Sequence, residues 1–318
     1  YFAMKKLTTL LLYCSCMLLL LSAHGQSQTK QTFMFNTSDS TKLYVKISGK
    51  GPYCFFIPGG PGQGCRSFEL LKGNALEKCF TMVYLDQRGS GKSQDAANYH
   101  LPRMLDDIEE LRQYLGLKKI FVLAHSFGGI IAFNYAQQFP ASVKALMLAN
   151  VTLHAMGYNA MVERVQYQLQ LLGRDTVLPT GITMDSLTRL EQHTFAALRQ
   201  RKMGYKMLTD DTATVIKQMN VDDYKRSIDF GMSILTKPSQ YPEYFEDYTP
   251  ATRKLAVPVL VIAGTDDHAI GTKTHKAFAF RDATVKVIHG GHMLYYENSP
   301  AFVEAVCSFS NAIKKLSQ

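Results

Sequence analysis

Two kinds of hydrophobic pattern alternate along this chain. Continuous apolar runs such as TMVYLD (81–86), IFVLAH (120–125), KALMLA (144–149) and PVLVIA (258–263) suit strands covered on both faces. Near the start, 31–36 and 42–48 alternate apolar and polar residues around the turn sequence TSDST, which reads as a hairpin. Together with 53–58 and 284–289, and with the four runs widened to 81–86, 119–124, 143–149 and 257–263, the pattern predicts eight strands. Helical patterns lie between them. The clearest places Leu101, Leu105, Ile108, Leu111 and Leu115 on one face, with Pro102 in its first turn and Gly116 as C-terminal cap.

Strands alternating with helices imply right-handed crossovers and an α/β class: a doubly wound, mostly parallel, eight-stranded sheet. In such sheets ligands gather at the carboxyl ends of the strands. Residues 152–250 break the rhythm. They carry the amphipathic stretches MVERVQYQLQLL, MDSLTRLEQHTFAALRQ and VDDYKRSIDFGMSIL and no convincing parallel strand. The predicted organisation is therefore a sheet domain in two parts, 26–151 and 251–318, with a helical lid inserted at 152–250.

Residues 1–25 read as an address. Met4-Lys5-Lys6 precedes an apolar run from Leu7 to Leu21 and the small-residue site Ser22-Ala23-His24-Gly25, so a signal peptide is expected, with Tyr1-Phe2-Ala3 lying upstream of it. The run is short for a membrane span, and Cys14 and Cys16 lack the small residues that precede a lipid-attachment site. An exported protein, periplasmic or secreted, is the expectation, with no stable membrane partner. Export would bring Cys54, Cys65, Cys79 and Cys307 into an oxidising compartment. Cys54 and Cys79, at the starts of neighbouring predicted strands, either pair or stay as buried thiols. The formal charge of +9 is dispersed along the chain, which argues against a nucleic-acid surface.

The chemistry is concentrated where the strand at 119–124 meets a helix almost without a loop. A serine held at the tip of a strand with its oxygen free needs a backbone turn so sharp that its neighbours must be small. Ala124-His125-Ser126-Phe127-Gly128 has that form, and Gly128-Gly129 lets the following helix pack closely on the strand. A serine hydroxyl is a weak nucleophile, so a base must take its proton and a third group must hold that base in its working tautomer. On this architecture the order is serine, acid, histidine. VLVIAGTDDHAIG offers Asp266 and Asp267 as the acid, and VKVIHGGHMLYYENSP offers His289 and His292 as the base. A helix-like TKTHKAFAF and a strand lie between the two segments. His289 belongs to the apolar strand run, whereas His292 follows a Gly-Gly flex point and is the assigned base. His125 and the other histidines read as surface or packing residues. Without an HxH, HExxH or CxxC arrangement, neither a metal nor any other cofactor is expected.

An oxyanion needs donors as well. FFIPGGPGQG (55–64) ends a strand in a glycine-rich loop that can present backbone N–H groups, Gly60 being the candidate with the amide of Phe127 as its partner. The loop lacks the phosphate-cradle pattern G-x-x-x-x-G-K-[ST].

With these segments in place the chain resembles the α/β-hydrolases, and within them the prolyl aminopeptidase (proline iminopeptidase) group of serine peptidases. Pro58-Gly59-Gly60-Pro61-Gly62 matches that group's H-G-G-P-G loop, Asp86-Gln87-Arg88-Gly89-Ser90-Gly91-Lys92-Ser93 matches its D-Q-R-G-x-G-x-S segment, and the serine elbow matches too. The resemblance selects Asp267, three positions after Gly264, and His292, after Gly291, and it places the oxyanion donors at Gly60 and Phe127. The chain departs from the group at Pro58, where a histidine is usual, at Ala124, and in having no tryptophan. The resemblance further implies acidic lid residues that hold a substrate amine, for which Glu163 and Glu191 are the candidates, with Glu243 and Glu246 behind them.

The reading is a serine hydrolase acting through an acyl-enzyme on a short peptide or other small molecule, as an aminopeptidase releasing proline or another N-terminal residue. A carboxylesterase or lactonase with the same machinery is the alternative, and a ligand-binding homologue without turnover the third. Oligomeric state is not legible.

Overall fold

In the computed structural model, which describes residues 29–211 and 227–315, the eight predicted strands form one sheet. They are β1 (Thr29–Asn36), β2 (Lys42–Gly49), β3 (Tyr53–Ile57), β4 (Thr81–Leu85), β5 (Ile120–Ser126), β6 (Val143–Val151), β7 (Val259–Gly264) and β8 (Ala283–Ile288), each boundary within two residues of the expected one. Their order across the sheet is β1-β2-β4-β3-β5-β6-β7-β8. β2 runs antiparallel to β1 and β4, and all later pairs are parallel.

The parallel strands are continuous apolar runs because both faces are covered. Phe55, Val83, Val122 and Leu146 turn to one core, which α1 (Leu101–Tyr114) and α2 (Gly128–Gln138) close. Phe56, Met82, Leu123 and Met147 turn to the other, beneath the C-terminal helix, residues Ser299–Lys315. As predicted, α1 has Pro102 in its first turn and stops before Gly116, whose φ is +66°. The chain passes from β3 to β4 on one side of it, then crosses back over β3 to form β5 on the other. That reversal opens a crevice at the carboxyl ends of β3 and β5.

Between β6 and β7 the chain forms α3 (Tyr158–Leu171), α4 (Met184–Gln200) and α5 (Asp229–Thr236). α3 and α4 pack on each other through Met161, Val165, Leu169 and Leu187. Residues 221–226 of the third predicted stretch, and the expected signal peptide, lie outside the described residues. Among the described residues no helix is long and apolar enough to cross a membrane. The C-terminal helix is α6.

Two local expectations are corrected. TKTHKAFAF forms only a single tight turn, Thr274–Ala277. Phe278 and Phe280, two residues apart, both pack on the main core, and that spacing belongs to extended chain rather than helix. Nor do Cys54 and Cys79 pair: Cys79 is bonded to Cys307 of α6, with Cα atoms 5.9 Å apart. Cys54 sits inside β3 opposite Met82, buried and free, whereas Cys79 lies ahead of β4, outside the strand ladder.

The D-Q-R-G-S-G-K-S segment is a structural knot. Buried Asp86 accepts from the amides of Cys65 (2.7 Å) and Lys92 (2.9 Å), fixing the end of the glycine-rich loop. Arg88, with no exposed surface, forks onto Asp107 of α1 through Nε and Nη2, both 2.7 Å, and reaches Asp39 of the β1–β2 turn at 2.7 Å. The guanidinium holds the Asp39 carboxyl well below the usual carboxylate range. Without Arg88 the buried Asp107 loses its two 2.7 Å bonds and keeps the 3.1 Å contact with Arg103 Nη2, and breaking one side of a buried ion pair is strongly destabilising. Arg88→Met is therefore expected to lower unfolding free energy by about 3–5 kcal/mol, read from urea denaturation midpoints. An unchanged midpoint would show that Arg88 is not what secures α1 to the turn.

Candidate active site

Ser126 ends β5 with φ at +54°, a left-handed conformation that non-glycine residues rarely adopt. Such a residue costs roughly 1–3 kcal/mol and persists only where its surroundings over-determine it. Here they do, through close approaches. A Cβ on Gly128 would stand 2.4 Å from the Pro58 carbonyl oxygen, and one on Gly129 would stand 2.4 Å from the Val151 Cβ. α2 is thus pressed onto β3 and β6 directly behind the serine, as the two glycines predict. In front, the glycine-rich loop lies on Ser126: a Cβ on Gly59 would come within 2.7 Å of the serine Cβ. Gly60, with φ at +111°, is the next residue in that loop, and Phe127 precedes the first turn of α2.

His292 Nε2 is 2.9 Å from Ser126 Oγ, and its Nδ1 is 2.9 and 3.0 Å from the two carboxylate oxygens of Asp267. The structure thus joins three side chains separated in sequence by 141 and 25 residues into one hydrogen-bonded chain. Asp267, 2% exposed, also accepts from the amides of Ala269 (3.1 Å) and Ile270 (3.4 Å), which hold its carboxylate in place. The rejected alternatives face away. The His289 side chain is 89% exposed just beyond β8 and lies 3.3 Å from Asp266, itself at the surface. With a carboxylate on Nδ1, the imidazole carries its proton there and presents a lone pair on Nε2 to the serine hydroxyl. Proton transfer from Ser126 Oγ is then a movement along a bond already formed.

The backbone of His292 is held from three directions that the sequence did not reveal. Its N–H donates to the Leu208 carbonyl at 3.0 Å. Its carbonyl accepts from Asn150 Nδ2 at 2.9 Å and from His125 Nε2 at 2.8 Å. His125 is more than packing. Burial and the neighbouring His292 push its pKa down to about 3, so it stays neutral with its proton on Nε2. Asn150 carries a sequence signal of a kind, since it is the polar residue that interrupts the apolar run of β6 at the carboxyl edge, where sites gather.

The two lid candidates have partners already. Glu191 pairs with Arg164 at 2.7 Å across α3 and α4. Glu163 accepts from Thr272 Oγ1 at 3.1 Å, five residues beyond Asp267. On the same helix Tyr167 stacks on His268, ring centroids 3.5 Å apart, so α3 rests directly on the loop that bears the acid. Glu163 is thus the nearer of the two to the site in the chain's contacts. Glu243 accepts from the Leu101 amide and pairs with His100, at the start of α1.

Comparison with known proteins bears on the fold that carries these residues. A proline iminopeptidase from Heyndrickxia coagulans is 25% identical over 287 residues, spanning 84% of this chain and 93% of its own length. The solved proline iminopeptidase-related protein from Thermus thermophilus matches with a TM-score of 0.70 at 21% identity, covering 90% of this chain and 98% of that one. An esterase from Exiguobacterium antarcticum matches with a TM-score of 0.64 at 22% identity, covering 89% and 100%. A family model described as alpha/beta hydrolase fold matches residues 55–299, a span that runs from β3 into the start of α6 and contains Ser126, Asp267 and His292. The chain therefore belongs to the alpha/beta hydrolase fold family.

Proposed function

We propose that this hydrolase works through an acyl-enzyme on Ser126 and releases the N-terminal residue, proline among others, from short peptides. The observation that carries the reading is the unbroken run of hydrogen bonds from Ser126 Oγ through His292 to Asp267. In the first step Oγ attacks the substrate carbonyl while Nε2 takes its proton, and Asp267 stabilises the imidazolium that forms. The amides of Gly60 and Phe127 receive the oxyanion, on either side of the serine. His292 returns the proton to the leaving amine, and a water activated by the same nitrogen then cleaves the ester.

The helices between β6 and β7 act on this reading as the lid, and Glu163 supplies the carboxylate for a substrate amine. Likeness to proline iminopeptidases supports the peptide substrate. A carboxylesterase is favoured instead by one specific observation: the two leading lid candidates are engaged, Glu191 by a guanidinium and Glu163 by a hydroxyl. On the same reading the protein acts outside the cytosol, a reading that the Cys79–Cys307 disulfide supports.

A substrate panel separates these readings. Proline arylamide and a short-chain aryl ester are assayed side by side, and the proposal expects measurable kcat/KM on the arylamide, lost when the amine is acylated. Ester cleavage without any arylamide turnover would replace the peptidase reading with the esterase one. Folded protein inert to both would point to ligand binding.

A further inference from the structure

We propose that Asn150 is a positioning residue for this reaction, because its one carboxamide ties the strand that leads to the acid to the loop that carries the base. The inference rests on the hydrolase reading above. Asn150 lies near the end of β6, 2% exposed, with φ at +47°. Its Oδ1 accepts from the amide of Gly264, the last residue of β7 and three positions before Asp267, at 2.7 Å. Its Nδ2 donates to the carbonyls of Gly291 (2.8 Å) and His292 (2.9 Å). Both N–H donors and the oxygen are therefore in use, on two segments that backbone bonds from Thr265 to Ile288 and from Asp266 to Gly290, both 3.0 Å, also hold together one step before the base.

The contact between those segments is tight. A Cβ on Gly264 would stand 2.5 and 2.6 Å from the carbonyl oxygens of Gly290 and Gly291. The Gly290 carbonyl accepts from the Asp266 amide at 3.0 Å, and the buried carbonyls of Gly291 and His292 beyond it need donors of their own. Asn150 satisfies two neighbouring carbonyls and grips Gly264 with the same planar group. His125 and Leu208 also hold the backbone of His292, but of these three only Asn150 reaches the acid strand as well. The residue type follows from the geometry. Asparagine tolerates a left-handed φ, whereas leucine or valine would be strained there. Aspartate of the same shape has no donor for the carbonyls, and glycine keeps the backbone while removing the carboxamide altogether.

That last contrast gives the test. Asn150→Gly and Asn150→Asp are compared with the unaltered protein on the preferred panel substrate, with kcat referred to the number of fluorophosphonate-titrated sites. If Asn150 sets the alignment of Asp267 and His292, each variant loses ~10–100-fold in kcat per titrated site, the scale of a misplacement near 1 Å, with KM within about twofold. The decisive readout is the same substitution in an Asp267→Ala background, where there is no aligned acid left to misplace. There Asn150→Gly is expected to add less than about threefold, whereas equal losses in both backgrounds would assign it a purely structural part and overturn the inference. An unchanged kcat per site in both single variants would overturn it too. Should Asn150→Gly fail to fold, Asn150→Asp carries the same comparison, since it keeps the volume and the oxygen that binds Gly264. Absence of turnover and labelling in the unaltered protein would defeat the hydrolase reading itself, a result distinct from active variants.

Discussion

Ser126→Ala is expected to reduce turnover of the preferred substrate by about 10⁵-fold or more while leaving the urea midpoint nearly unchanged. The side chain loses one oxygen, the atom to which the proposed mechanism assigns the acyl bond. His292 and Asp267 retain their mutual bonds of 2.9 and 3.0 Å without it, but the imidazole then has only water to activate. What survives is binding and oxyanion stabilisation. Stability should move little, because alanine keeps the Cβ and with it the left-handed strain at φ +54°. Retention of more than about a hundredth of the activity in purified variant would mean that another group attacks the substrate.

Asp267→Asn should cost about 10⁴-fold in kcat with the fold intact. The carboxylate now receives both the imidazole N–H and the amides of Ala269 and Ile270. An asparagine in its place offers its oxygen to those two amides and turns its NH₂ toward Nδ1. A donor facing Nδ1 forces the ring proton onto Nε2, the nitrogen that must be bare to accept from Ser126. The loss is thus one of tautomer rather than of charge alone. Steady-state kinetics at neutral pH measures it, and a loss under tenfold would show that a different carboxylate orients the base.

Much of the fold was legible because its determinants are local. A strand buried on both faces must be apolar throughout, and β4, β5, β6 and β7 announce themselves that way. The elbow is equally local: Ser126 needs small neighbours within a few residues, and Gly128 and Gly129 are those neighbours. The choice of His292 over His289 followed from chain flexibility, and the structure puts His289 in solvent and His292 against Ser126. What escaped was long-range. Cys79 finds Cys307 across 228 residues of sequence, a pairing set by where α6 docks on the sheet. Asn150 matters because β6 ends beside the loop at 291, a register that residue types alone do not encode. The Glu191–Arg164 pair depends likewise on how α3 and α4 are set against each other. At 272–280 the failure was one of period, two aromatic residues at strand spacing within a composition that suggested helix.

The most direct measurement is the mass of the intact protein after exposure to a fluorophosphonate, followed by peptide mapping of the adduct. One equivalent of label is expected, on Ser126, with labelling abolished in Ser126→Ala and slowed at least a hundredfold in His292→Ala. Folded protein that takes up no label, or a label found elsewhere while Ser126→Ala still hydrolyses substrate, would contradict the account.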